Sequence, residues 1–204
     1  MQITAEMQPD TGLSVTEAAR RAQILTATIE TLAELGYART SFERLRERAG
    51  LSSTRIITYH FGSKAELMKA VLGTIVHVKD QYTAARAAQS TDRTALLRAY
   101  IEADVAFLKE HPDAVRALEE VRRNEERDPI TEALVADLRH GRLERQLRQG
   151  QAEGVFGDFD PSVMARTIAH ALDGAAAARA ADPALDLDNY TRELANLFDR
   201  ATRR

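Results

Sequence analysis

Cysteine is absent from the 204-residue sequence, which excludes disulfides and thiolate metal sites and fits an intracellular setting. Aromatic residues make up only 5%. Runs of β-branched residues are nearly missing while Ala and Leu abound, which argues for helices and against sheets. No apolar run approaches the roughly 20 residues of a membrane span. The N-terminal MQITAEMQPDTGLS has no basic start followed by an apolar stretch, so no signal peptide is expected and the location is read as cytoplasmic. Nor is there an excess of positive charge. Lys and Arg number 28 against 31 Asp and Glu, a net charge of −3, which excludes a uniformly basic nucleic-acid binder. Walker loops, dinucleotide fingerprints and Ser-His-Asp patterns are missing, so neither enzyme activity nor a cofactor is expected. His77, His111, His140 and His170 stand at no ligand spacing, and no metal site is expected.

What is present reads as an all-α protein. Hydrophobic residues at 44% and charged residues at 29% suit a soluble globular chain. Three capping boxes punctuate the first third: Ser14 with Glu17, Thr40 with Glu43, and Ser63 with Glu66. Each sets a hydroxyl at N-cap and a carboxylate three residues on, satisfying two orphan N–H groups. The first helix is predicted from Val15 to Leu35, burying Ala22, Leu25, Ile29 and Leu32, with Gly36 ending it. A second covers Ser41–Ala49 and buries Phe42, Leu45 and Ala49. A third covers Ser53–His60 with Ile56 facing inward. A fourth begins after Ser63 and carries Leu67, Val71, Ile75, Val78 and Tyr82 on one stripe, into the mid-80s.

Two short helices joined by a tight Gly50-containing turn match a helix-turn-helix. In that arrangement the second helix enters the major groove and reads base edges with its N-terminal side chains. Ser53, Thr54, Arg55 and Thr58 suit base contact, since Arg can grip guanine with two donors and Thr offers a methyl or a hydroxyl. Tyr59, His60 and Lys64 suit phosphate contact, reinforced by the N-terminus of the fourth helix. Residues 39–69 carry seven cations, Arg44 among them, and three carboxylates, a local balance of +4 that leaves −7 for the remainder. A basic patch on an acidic body is the footprint of a one-sided DNA binder. The competing reading is a plain turn between two core helices, with a solvated Arg face on the second helix.

The stretches ILTATIETLAELGYARTSFERLRERAGLS and YHFGSKAELMKAVL resemble the DNA-binding domain of TetR-type transcriptional regulators over about the first 70 residues. The shared pattern is a Gly-Tyr turn, Thr40 opening the second helix, Ala-Gly closing it, and an aromatic–His–Phe–x–x–Lys junction before Glu-Leu. The resemblance implies phosphate contact by Thr40, Tyr59, His60 and Lys64, and base contact by Ser53–Arg55 and Thr58. Two departures stand out. The interval from Gly50 to Lys64 is one residue longer than usual, which leaves open whether Ser53, Thr54 or Arg55 faces the bases. Thr58 occupies a position where the family commonly has Tyr.

The same resemblance implies that the remaining two-thirds bind an effector and form a homodimer. Helices are predicted over Arg93–Glu110 and from Pro112, the latter burying Val115, Leu118 and Val121. Another opens at Asp128-Pro129, with Ile130, Leu134 and Leu138 in line and a kink near His140-Gly141. A further one starts at the Asp160-Pro161 pair and runs to about Ala180. The last, over Asp188–Thr202, buries Tyr190, Leu194, Leu197, Phe198 and Ala201. The final two helices, through Leu172, Gly174, Ala175, Ala178, Tyr190, Leu194, Leu197 and Phe198, are the expected dimer seam, with packing inside one subunit as the alternative. Asp104 falls on the apolar face that carries Tyr100 and Phe107. A carboxylate there needs a partner or must become neutral. It is either held in an internal ion pair or hydrogen bond, or it walls an effector pocket with Tyr100, Phe107 and His170.

The sequence therefore reads as a disordered N-terminal arm (1–13), a three-helix helix-turn-helix domain (14–66) and a helical bundle (67–204). The expected function is a repressor that a small-molecule effector releases from a palindromic double-stranded DNA operator. Two alternatives remain: a DNA-architectural or protein-partner role on the same fold, and a helical small-molecule-binding protein or enzyme.

Overall fold

Ser14 opens the first helix as its pattern predicts. Its hydroxyl accepts from Glu17 N–H at 3.3 Å, and its own N–H donates to the Glu17 carboxylate at 3.0 Å. In the computed structural model of the chain, residues 14–90, 92–124 and 137–204 are described. The expected arm (1–13), and the part of the Asp128-Pro129 helix carrying Ile130 and Leu134, lie outside them. Nine α-helices fall among the described residues: α1 (Val15–Leu35), α2 (Phe42–Arg48), α3 (Arg55–Phe61), α4 (Lys64–Ala87), α5 (Arg93–Glu110), α6 (Pro112–Asn124), α7 (Arg142–Ala152), α8 (Pro161–Ala181) and α9 (Leu187–Thr202). A π-helical turn, Asp137–Gly141, precedes α7 at the place where a kink is expected. Extended pairing among the described residues is confined to one bridge between Phe156 and Arg203.

The described residues form two compact units. One holds residues 14–78 and 111–124, and the other residues 79–110 and 137–204. The first unit thus takes in α6 as well as α1 to α3 and α4 through Val78. α1 packs on α2 and on α6. Ile24, Leu25, Ile29 and Leu32 of α1 are buried, with Leu45, Ile57, Phe61, Leu67, Val71 and Ile75. Ala22 and Phe42, expected inside, are only half-buried, and two further expectations need correction. Ile57, not Ile56, is the buried residue of α3. On α6 the buried positions are Ala114, Ala117 and Val121, whereas Val115 and Leu118 are only half-buried. Small side chains at i and i+3 let a helix axis approach its neighbour closely.

Gly36 closes α1 at φ +79°, a conformation that favours glycine. The space beside it is also taken. A Cβ there would lie 3.0 Å from a carboxylate oxygen of Glu120 on α6.

In the second unit α5 packs on α8 and α9, and α7 on α8. The core gathers Leu97, Ile101 and Val105 of α5, Leu143 and Leu147 of α7, Ile168 and Leu172 of α8, and Leu194 and Phe198 of α9. Asp160 caps α8, accepting from Ser162 N–H and Val163 N–H, with Pro161 in the first turn. On α9, Leu197 and Ala201 are exposed instead of buried, while Leu187 and Ala195 take inward positions.

Gly150 sits against the Phe156 ring so closely that a Cβ would overlap it. Gly73, an exposed glycine of α4, has nothing within 4 Å of the place a Cβ would occupy. Gly150→Ala should therefore lower the unfolding free energy by about 1–3 kcal/mol through overpacking. Gly73→Ala should raise it by roughly 0.5–1 kcal/mol through helix propensity. Urea titrations of both variants beside the parent chain check the opposite signs.

Candidate nucleic-acid interface

The geometry of α3 starts with its missing length. Seven residues are too few to hold a helix in water, so α3 persists only through what it buries. Ile57 and Phe61 are its inward residues. Arg21 of α1 secures the far end: its guanidinium lies 4.3 Å from the Phe61 ring centroid and donates to the His60 carbonyl. Gln23 of α1 donates to the Ala49 carbonyl at 2.6 Å, tying the end of α2 to the same helix.

The start of α3 is set by a turn at Ser53. Ser53 Oγ accepts from Arg55 N–H at 3.1 Å, and Ser53 O accepts from Ile56 N–H at 3.3 Å. This serine turn sets Arg55 as the first helical residue, with Thr54 helical in φ and ψ just before it. Arg55, Thr58 and Tyr59 are exposed, Tyr59 at 76%, while Ser53 and Thr54 are half-buried. Among the described residues, neither Arg55 nor Arg44 enters an ion pair.

The other cations of the patch are engaged. Arg46 pairs with Glu43 and Glu47, Arg48 with Glu30 and Glu34, and Lys69 with Glu66. Arg39 donates to the Leu35 carbonyl. Lys64 donates to the Tyr37 carbonyl at 3.0 Å and sits 4.2 Å from the Tyr37 ring centroid. Thr40 needs correction as the opener of α2. It is 2% exposed, and its hydroxyl donates to the Gly36 carbonyl at 2.9 Å. The cap is Ser41, which accepts from Arg44 N–H. A side chain turned inward in this way braces the turn and does not reach the surface.

Tyr59 and His60 meet at the rim, their ring centroids 5.1 Å apart. Tyr59 donates to Glu17 at 3.4 Å. Hydrogen bonds from Ser14 hold the Glu17 carboxyl below its usual range, with Tyr59 and His60 adding to the effect. Burial pushes His60 below its ordinary value, and the Arg21 charge adds to the shift. The sequence pattern did not point to Arg21, Gln23 or Glu17 in these roles. Each acts across long sequence separations, for which local spacing carries no signal.

The other expected sites are dispersed within the second unit. Asp104, largely buried, pairs with Lys79 Nζ at 2.6 Å, the partner its burial demands. Tyr100 packs against the core, Phe107 is fully buried against Tyr82 with centroids 5.4 Å apart, and His170 is exposed near His140 and Asp173. A cleft of about 330 Å³ lies elsewhere, lined by Glu102, Ala106, Lys109 and Glu110 of α5 and by residues of α9 including Asp188 and Arg192. Of the expected seam residues, Leu172, Ala175, Leu194 and Phe198 belong to the subunit's own core. Gly174, Ala178 and Tyr190 are half-buried, and only Leu197 is exposed, at 52%.

Residues 24–71 match the family of bacterial regulatory proteins named tetR. Over 119 residues the sequence is 34% identical to the HTH-type transcriptional activator FasR of Mycolicibacterium smegmatis, covering 57% of this chain. The match spans about half the length of that curated relative. Among solved structures, a TetR family regulator from Haloarcula marismortui matches at a TM-score of 0.77 with 23% identity, covering 92% of this chain and all of that one. A TetR family regulator from Marinobacter aquaeolei gives 0.75 with 18% identity, covering 92% and 97%. PfmR from Thermus thermophilus gives 0.72 with 23% identity, covering 87% and 97%. At these identities the structural likenesses establish the fold.

The lowered His60 basicity has a consequence for stability. Below the ordinary value of 6.5, the unfolded chain takes up a proton that the folded chain resists. Stability present above pH 6.5 is therefore lost as pH falls through the window beneath it. His60→Gln should flatten the decline in melting temperature between about pH 7 and pH 5. Identical pH slopes for variant and parent would remove His60 as its source.

Proposed function

We propose that the chain, whose residues 24–71 match the tetR family of bacterial regulatory proteins, is a homodimeric repressor of a palindromic operator, released by a small-molecule effector. The observation that carries the reading is α3 itself. It is anchored on one side by Ile57, Phe61 and Arg21, and on the other presents Arg55, Thr58 and Tyr59 to solvent. Arg55 at the helix start is the base reader, set to hold guanine O6 and N7 with two donors. Thr58 adds a methyl and a hydroxyl, with Ser53 and Thr54 flanking. Arg44, Tyr59, His60 and Lys64 are the phosphate contacts that fix register. Thr40 supports them by bracing the α1–α2 turn.

Two α3 helices must stand about 34–36 Å apart to occupy half-sites one turn of DNA apart. That requirement needs a dimer. We place its seam on the outward faces of α8 and α9, where Val163 and Leu197 are the exposed large apolar residues and Gly174 and Ala178 are half-buried. The effector site falls in the second unit beside Tyr100, Asp104 and Phe107. There an entering molecule meets the Lys79–Asp104 ion pair instead of a lone carboxylate, which favours an amphipathic ligand. An effector that prefers one dimer geometry changes DNA affinity by no more than its own preference between the two. α4, which continues from one unit into the other at Val78–Lys79, is the proposed lever.

A second reading concerns the sign of regulation. The 34%-identical relative is a transcriptional activator, which favours activation here by the same DNA contacts. A reporter driven from the selected operator separates the two signs.

The experiment is selection of bound genomic fragments, followed by titration of the recovered site. Arg55→Ala should cost about 1–3 kcal/mol of operator affinity and relax the preference at one base per half-site. Unaltered sequence preference would remove Arg55 as the reader. Leu197→Glu should shift the sedimenting species from two chains to one, and operator affinity should fall with it. A parent chain that sediments as one chain at every concentration, or a variant that stays dimeric, would displace the seam.

A further inference from the structure

The backbone of one residue in the first unit, Tyr37, is held at both its N–H and its carbonyl by residues far apart in sequence. Glu120 of α6 accepts the Tyr37 N–H at 2.8 Å. Lys64, at the start of α4, donates to the Tyr37 carbonyl at 3.0 Å and rests 4.2 Å from the centroid of the Tyr37 ring. The same carbonyl accepts from Thr40 N–H at 3.1 Å, and the Thr40 hydroxyl fastens the Gly36 carbonyl at 2.9 Å. Gly36 completes the arrangement. Its bare Cα admits the Glu120 carboxylate, which a methyl group would meet at 3.0 Å.

Each part has a physical reason. A Lys side chain has a flexible four-carbon stem, and holding its ammonium in one place normally costs conformational entropy. The Tyr37 ring face and carbonyl supply a fixed electronegative seat for it. The seat is only as fixed as the Tyr37 backbone, which lies in the loop between α1 and α2. Glu120 fastens that backbone by accepting the Tyr37 N–H. A charged acceptor gives a stronger bond than a neutral one. α6, pressed on α1 through Ala114, Ala117 and Val121, presents that acceptor from a rigid element.

We infer that Glu120 is a positioning residue for DNA binding: by locking the Tyr37 backbone, it sets the Lys64 ammonium where a phosphate will meet it. The inference rests on the reading of Lys64 as a phosphate contact. It adds that a residue of α6, eighty-three positions from Tyr37 in sequence, governs one DNA contact without touching DNA. A displacement of α6 therefore weakens the grip on the backbone while leaving base readout by Arg55 intact.

The test measures operator binding against salt concentration for the parent, Glu120→Ala, Glu120→Gln, Lys64→Met and the Glu120→Ala/Lys64→Met double variant. Melting curves confirm that each is folded. A released phosphate contact lowers the salt slope by about 0.9 per site. Lys64→Met should show that drop. Glu120→Ala should lose about tenfold or more in affinity, as expected for one charged hydrogen bond, with part of the same drop in slope. Glu120→Gln, which keeps an acceptor oxygen, should recover most of the loss. In the Lys64→Met background Glu120→Ala should change little, because the lysine it positions is gone. An unchanged salt slope in Glu120→Ala, or an equal loss with and without Lys64, would overturn the inference. If Lys64→Met itself leaves the slope intact, the phosphate reading of Lys64 falls and the inference with it. Operator binding that still depends on Arg55 would then show that the DNA-binding conclusion survives.

Discussion

Everything proposed for the DNA-facing surface depends on the burial of Ile57 and Phe61 beneath a seven-residue helix. Such a helix has no stability of its own. Its two inward side chains and the Arg21 clamp on its last turn fix which way the other residues face. A rotation of α3 by one residue would carry Arg55 and Thr58 off the surface and bring polar groups inward unpaired, at a cost of about 1–3 kcal/mol for each. The presentation of the reading edge is therefore a consequence of core packing. The sequence on the exposed side is left free to specify a DNA site.

The parts of this arrangement that local chemistry controls were legible beforehand. α1, α4, α5 and α8 follow from capping residues and apolar stripes, and the buried Leu67, Val71, Ile75 and Val78 lie where their spacing puts them. The helix-turn-helix was legible for the same reason. What failed were the fine rotations. Ile56 and Ile57 are chemically identical, and the choice between them hangs on where α3 starts. That is set by the Ser53 turn, a hydrogen bond that spacing alone does not reveal. The placement of Ala114 and Ala117 at the α1 contact was likewise hidden, because alanine reads as neutral filler until a neighbouring axis comes close. On α9, Leu197 has the hydrophobicity of a core residue and lies exposed.

The candidate site shows the same division. The exposure of Arg55, Thr58 and Tyr59 could be read from residue type and position, since polar side chains around the buried Ile57 and Phe61 face outward. Thr40 could not. A hydroxyl before a helix serves equally as a cap, a phosphate contact or a brace, and only the proximity of the Gly36 carbonyl decides among them. Asp104 shows why its alternatives could be stated and not resolved. The cost of a buried carboxylate guarantees some partner, and the identity of Lys79 depends on how α4 and α5 pack in the second unit.

Charge counting needs the same discipline. Seven cations in residues 39–69 suggest a strong basic patch, yet most of them are spent inside the protein. Arg46, Arg48 and Lys69 face carboxylates, and Arg39 faces a carbonyl. Surface pairs of this kind add little to stability and are screened by salt. Their larger effect here is to lower the field that the patch projects towards DNA. Among the described residues Arg44 and Arg55 enter no ion pair, so these two can displace counterions from the backbone without first breaking one. Nonspecific attraction is thereby kept low on a chain whose net charge is −3. Weak nonspecific attraction widens the gap between the right site and all others. For the regulator proposed above, few contacts would then need to be undone on release.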